Sequence, residues 1–247
     1  MTQDLFRQDA RLRQASATIL SAGPEGIVLD RTVFYPLGGG QAGDTGWLVL
    51  ADGQRLGVAD TRKGKDAEGR PTAAICHVPA PGQDALLARC TAGTPVTAEI
   101  DWERRHRLMR FHTTTHLLCH LVAQPVNGCA ITADAARLDF HTDQPLDKAL
   151  LSAGIARLVG AALPVTVGEI AEAELDANPS LVKSMSVSPP RGTGAVRTIR
   201  IGADGLIDLQ PCGGTHVANT AEIGAVVVTK IEKKGAMARR VVLGFAA

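Results

Sequence analysis

The sequence predicts an α+β fold with a boundary near residue 100: short strands and turns over residues 1–100, as in a small β-barrel or sandwich, then a mixed α+β half over residues 101–247. Three observations predict it. The first hundred residues alternate short apolar runs with turn residues. A long stretch free of glycine and proline starts at Glu103. Beyond it, strand-like and helix-like segments interleave.

The elements follow in chain order. Ile27–Leu29, Trp47–Leu50, Ala73–His77 and Val96–Ile100 are short apolar runs, separated by Gly38-Gly39-Gly40, Asp52-Gly53 and Pro79-Ala80-Pro81-Gly82. Such spacing suits a barrel or sandwich. Lys63–Arg70 is polar and reads as a hairpin tip or loop. Glu103–Val122 has a helical period, with Leu108, Phe111, Thr115, Leu118 and Val122 on one stripe, and Pro125 and Gly128 end it. Ala136–His141 alternates as a strand does. Leu146–Leu163 reads as a second helix, ended near Pro164. Val165–Ala171 and Val196–Ile201 read as strands on either side of a turn-rich stretch opened by Pro189-Pro190. Two strand-like runs, Ala225–Ile231 and Arg240–Phe245, close the chain.

Composition narrows the function. Hydrophobic residues make up 45% and charged residues 21%, which excludes wholesale disorder. Aromatics are 3%, too few for a stacking platform on bare single strands. A net charge of +1 excludes a general polyanion binder and leaves nucleic-acid contact to local basic clusters. Residues 111–133 carry no Asp, Glu, Lys or Arg, but His112, His116, His120 and Gln124 make them buried protein lining a site, not a membrane span. The first ten residues are polar and no apolar leader follows. Five spread cysteines, 76, 90, 119, 129 and 212, then read as reduced thiols in a cytoplasm.

Two short motifs carry chemistry. In His112-Thr113-Thr114-Thr115-His116 the two imidazoles stand one helical turn apart on one face and can grip one ion; His120 continues the stripe. Zinc proteases of the HExxH type place glutamate where Thr113 stands, so that activity is not expected. In Cys212-Gly213-Gly214-Thr215-His216 a thiolate and an imidazole flank a glycine turn. Together the four side chains offer N, N, S and N donors, a set suited to one zinc ion per chain, either as a closed structural site or with a position open to water or substrate. Asp208, Gln210 and Thr215 are near enough in sequence to orient the imidazoles.

At these residues the chain resembles a known family. Phe34–Gly46 (FYPLGGGQAGDTG), His112–Leu118 (HTTTHLL), Arg137–Phe140 (RLDF), Asp208–Val217 (DLQPCGGTHV) and Lys230–Arg240 (KIEKKGAMARR) resemble the free-standing alanyl-tRNA editing proteins, the AlaX group, themselves similar to the editing domain of alanyl-tRNA synthetase. The amino-terminal block resembles that of the medium-length form, and the resemblance implies a small amino-terminal β-barrel over residues 1–100 followed by an open-sheet, two-layer α+β editing domain over residues 101–247. The resemblance implies hydrolysis of serine wrongly attached to tRNA(Ala), with glycine a second substrate and Ala-tRNA(Ala) spared. It implies zinc at His112, His116, Cys212 and His216, and no aminoacylation core; no nucleotide cofactor is expected. The family usually carries Thr or Gln in the segment after the first helix, where this chain has Val126-Asn127-Gly128-Cys129-Ala130.

The remaining site residues are assigned on this basis. Thr115 and Asp208 are candidate catalytic groups. Thr114, Asn127, Gly128, Gly39, Gly40 and Gln41 are candidates for contacting the aminoacyl end, and the threonine cluster 113–115 with Asn127 is the candidate reader of the serine hydroxyl, because a pocket that hydrogen-bonds that hydroxyl leaves buried polar groups unpaired with alanine. Arg104 and Arg105, and Lys230, Lys233, Lys234, Arg239 and Arg240, are candidates for tRNA phosphates. Two other classes fit the same residues: a tRNA-binding zinc module with weak catalysis, and a hydrolase of other small acyl esters. The sequence gives no oligomeric state.

Overall fold

A computed structural model describes residues 2–189 and 191–246. Pro190, second proline of the turn read from sequence, and the terminal residues 1 and 247 lie outside the described residues. The chain divides into two compact units, one of Met1–Gly38 and Ala42–His106, the other of Gly39–Gln41 and Arg107–Ala247.

The first unit is built on a closed barrel of six antiparallel strands: β1 (Gln14–Gly23), β2 (Gly26–Leu29), β3 (Gly46–Leu50), β4 (Arg55–Lys65), β5 (Pro71–Pro79) and β6 (Pro95–Ile100), in the order β1-β2-β5-β4-β3-β6. Alternation fixes which face is inside: along β3, Gly46, Leu48 and Leu50 are buried while Trp47 and Val49 are half-exposed. Ile19, Ile27, Leu29, Leu48, Leu56, Val96, Ala98 and Ile100 fill the interior. Residues 66–69 form the tip of the β4–β5 hairpin.

Arg105 and Asp44 lock this unit. Both side chains are buried, at 0% and 1% exposure. The Arg105 guanidinium donates to both Asp44 oxygens, to the Ala10 carbonyl at 2.8 Å and to the Val33 carbonyl at 2.7 Å, and the Tyr35 N–H donates to Asp44 at 2.6 Å. This corrects one expectation from sequence. Arg105 is not available to RNA phosphates, because its charge is spent inside the protein on a carboxylate and two carbonyls.

The helix α1 spans Trp102–Val122 and starts where the Asp101 carboxylate accepts from the Arg104 N–H at 3.1 Å. Residues 111–119 are buried on every side, so this is a core helix. Ala123, at φ 52°, ends it. In the second unit, the strands β7 (Val126–Ile131), β8 (Ala136–His141), β9 (Val165–Ala171), β10 (Ala195–Ile201), β11 (Asp208–Pro211), β12 (Val226–Gly235) and β13 (Ala238–Phe245) form two antiparallel sheets, ordered β12-β13-β8-β7 and β9-β10-β11, and the helix α2 (Lys148–Gly160) joins β8 to β9. Leu138, Phe140, Val228, Val241 and Leu243 give the larger sheet a buried face. The Asp147 carboxylate caps α2 by accepting from the Leu150 N–H. No described helix is long and apolar enough to cross a membrane.

Candidate metal centre

The long helix α1 brings His112 and His116 to one face, and the turn after β11 presents Cys212 and His216 to them. One ligand atom from each of the four lies within 4.8 Å of all the others. The Cys212 Sγ is 3.4 Å from His112 Nε2 and 3.3 Å from His216 Nε2. Atoms bound tetrahedrally to one ion at about 2.0–2.3 Å stand roughly 3.3–3.7 Å apart, so these separations fit a shared metal. The three imidazole rings form a triangle with centroids 4.3 to 5.4 Å apart. His120, on the same stripe in sequence, is exposed and outside the cluster.

Each imidazole is held from behind through Nδ1, which leaves Nε2 for the cluster. His112 Nδ1 donates to Gln41 Oε1 at 2.7 Å. That oxygen also accepts from the Thr215 N–H at 3.1 Å, while Gln41 Nε2 donates to Thr215 Oγ1 at 2.8 Å. His116 Nδ1 donates to Asp208 Oδ2 at 2.8 Å, and Gln210 Nε2 donates to the same oxygen. His216 Nδ1 stands 3.2 Å from Thr113 Oγ1, which accepts from the Val217 N–H. The acceptors Gln41 Oε1 and Asp208 Oδ2 set the tautomers of His112 and His116, and the Thr113 hydroxyl orients the His216 ring.

The glycines act through close approach. A Cβ at Gly214 would fall 2.1 Å from His112 Cε1 and 2.4 Å from Nδ1, so only glycine lets the turn lie against that ring. Gly40, at φ +84°, brings its backbone against Cys129; a Cβ there would sit 2.9 Å from the Cys129 carbonyl oxygen. This contact and the bridge between Gln41 and Ile131 hold the glycine loop at the edge of β7.

The electrostatics favour a ligating thiolate. Burial opposes ionisation of Cys212, but the adjacent imidazoles of His112 and His216 outweigh it and hold the thiol well below its usual range. Burial likewise opposes a charged His116, yet the Asp208 carboxylate and the Cys212 sulfur raise it to about 10. Burial and the charge of His112 push His216 down.

The threonine cluster behaves differently from the sequence expectation. Thr114 is fully buried and donates its hydroxyl to the Arg110 carbonyl at 2.8 Å, so it does not face a substrate. Thr115 back-bonds to the His112 carbonyl at 2.7 Å. Thr113, a candidate reader of the serine hydroxyl from sequence, stands instead against the His216 ring. Asp208 and Gln41 both stand behind an imidazole. Asn127 and Gly128 lie half-buried on β7, and Gly39 is exposed. Arg104 donates to the Gly43 carbonyl at 3.2 Å. Arg239 is committed to main-chain carbonyls, among them those of Asp143, Gly235 and Ala236. The five cysteines are free.

Residues 196–242 match the family model for the second additional domain of threonyl and alanyl tRNA synthetases. An alanyl-tRNA editing protein AlaX-M of Saccharolobus solfataricus is 30% identical over 98% of this chain and 98% of its own length. One from Methanosarcina barkeri is 32% identical over 97% of each. An alanine–tRNA ligase of Metallosphaera sedula is 36% identical over 94% of this chain, and the chain spans a quarter of that protein's length. With near-complete alignment to two editing proteins, the chain belongs to the alanyl-tRNA editing protein family of the AlaX-M kind.

Proposed function

We propose that this protein is a zinc-dependent aminoacyl-tRNA deacylase acting in trans on Ser-tRNA(Ala), with Gly-tRNA(Ala) as a second substrate, and sparing Ala-tRNA(Ala). The observation that carries the reading is the buried three-imidazole, one-thiol cluster, each ring anchored at Nδ1, in a chain of the editing family. The donor set suits zinc: nitrogen and sulfur ligands, four in number, all within 4.8 Å of one another, with the Cys212 sulfur at 3.4 and 3.3 Å from two of the imidazole nitrogens. His112, His116, Cys212 and His216 would hold it. When bound, zinc supplies Lewis-acid polarisation to an ester or amine oriented beside it.

The chain's own residues do the positioning. Gln41, Asp208 and Thr113 fix the three rings, and the buried Asp208 carboxylate and the half-buried Cys212 thiolate balance positive charge in the cluster. The reaction adds water across the ester: the carbonyl carbon to ribose oxygen bond breaks, a carboxylic acid forms on serine, and the proton ends on the ribose hydroxyl. An aminoacyl ester is already activated, so orientation supplies much of the rate. Selection against alanine falls to a polar group facing the amino-acid side chain, and Asn127, half-buried on β7, takes that role here.

The test uses tRNA(Ala) charged separately with serine, glycine and alanine. Selective release of serine, abolished in Cys212→Ala and His116→Ala, is the expected outcome. Equal release of alanine, or an unaffected Cys212→Ala, would refute the reading. Turnover of small esters with no action on charged tRNA would point to a different hydrolase.

A further inference from the structure

The larger sheet of the second unit has one face in the core and one that is not. Cross-strand partners share a face, so the register places Asp139 beside Gly128 and Arg240, Arg137 beside Ala130 and Val242, and Arg240 beside Glu232. The intervening residues Leu138, Phe140, Val241 and Leu243 are the buried ones. On the outer face the side chains of Arg137, Lys230 and Lys234 are 37%, 65% and 41% exposed. Four cations, with Arg240, stand there against two anions, Asp139 and Glu232, in a chain whose whole net charge is +1.

Asp139 organises the patch. Its carboxylate accepts from Arg240 at 2.6 and 2.8 Å and from Arg137 at 2.6 Å, so one anion fixes two guanidinium groups side by side. Two cations on one carboxylate leave a positive charge over. Among the described residues Arg137 spends one N–H on this contact, and a guanidinium has five to offer. Next to them β7 contributes Gly128 and Ala130. A Cβ on Gly128 would lie 3.6 Å from the Asp139 carboxylate, so a larger residue there would overhang the pair; glycine and alanine leave a shallow bare strip beside the arginines.

We propose that this outer sheet face is an RNA-backbone docking surface: Arg137 and Arg240, braced by Asp139, take one phosphodiester, and Lys230 and Lys234 lie along its path. The proposal rests on the deacylase reading for the identity of the RNA, the substrate tRNA. It narrows the basic residues read from sequence. Lys233 and Arg239 pair with each other on the opposite side of the ladder, and Arg239 is occupied by carbonyls. It adds Arg137, which sequence reasoning had placed only within a family block.

The experiment measures affinity of the full chain for uncharged tRNA(Ala) by fluorescence anisotropy over a range of salt. Arg137→Gln and, separately, Lys230→Gln each lower affinity and flatten the slope of log Kd against log salt by about one unit. Lys148→Gln, exposed on α2, leaves the slope as in the parent. Hydrolysis of a seryl ester of adenosine, which carries no phosphodiester for the patch to hold, stays at the parental rate and reports an intact fold and centre. A parental slope in both variants overturns the docking surface and leaves the deacylase reading standing. A parent that neither binds tRNA nor releases serine overturns both.

Discussion

Replacing Gly214 with alanine tests the centre through a contact rather than through a ligand. The new Cβ would fall 2.1 Å from His112 Cε1, where ordinary contact begins near 3.4 Å. Ring or turn must therefore retreat by about 1.3 Å, whereas metal–ligand distances tolerate about 0.2 Å. The retreat also breaks the 2.7 Å anchor from His112 to Gln41. Loss of a ligand's orientation costs metal affinity about 10- to 100-fold, and displacement of the ligand itself reaches the upper end, about 2.7 kcal/mol. Competition titration of zinc against a chromogenic chelator measures it. Gly160→Ala is the control, because a Cβ there meets nothing within 4 Å. If Gly214→Ala held zinc with parental affinity, the proposed closeness of turn and ring would be wrong, and with it the reason this position is glycine.

Other consequences are open to direct measurement. Arg105→Ala strands the buried Asp44 charge and is expected to cost about 3–5 kcal/mol in urea unfolding, far more than loss of a surface arginine; a change below 1 kcal/mol would restore Arg105 to the surface role read from sequence. Asp208→Asn keeps the shape but weakens the hold on His116, and zinc affinity is expected to fall about 10- to 100-fold with little change in melting of the metal-free protein. His77 is buried, its Nδ1 donating to the Ile27 carbonyl and its Nε2 bonded to Thr32; burial lowers it from 6.5 to about 4. The unfolded chain binds that proton first, so stability is full above pH 6.5 and declines as pH falls toward 4, by about 3 kcal/mol from this group. The loss is read as the difference between parent and His77→Gln in urea unfolding at pH 7 and pH 4.5, and parallel pH profiles would contradict it.

Much of the fold was legible because its signals are local. The helix over 102–122 and the strands Ala136–His141 and Val165–Ala171 announce themselves by period, and the four donors by spacing within two short motifs. The strand Val126–Ile131 was not legible: Asn127, Gly128 and Cys129 show no alternation, and pairing with Ala136–Phe140 is what extends them. Arg105 read as one of a basic run, yet it stands seven residues before His112, on the buried side of the helix. Its partner Asp44 lies 61 residues away, a distance no local pattern spans. The same holds for Gln41, which reaches His112 and Thr215 across 71 and 174 residues. The threonines 113–115 read as one set of candidate serine readers, yet Thr114 and Thr115 bond their own helix backbone and Thr113 stands against the His216 ring, a split that sequence spacing does not show.

Zinc K-edge X-ray absorption on the purified, zinc-loaded protein bears most directly on the centre. It should report one sulfur at about 2.3 Å and three nitrogens at about 2.0–2.1 Å, with the sulfur shell absent in Cys212→Ser. A shell of oxygens, more than one sulfur, or a spectrum indifferent to Cys212 would contradict the convergence of these four side chains on one ion.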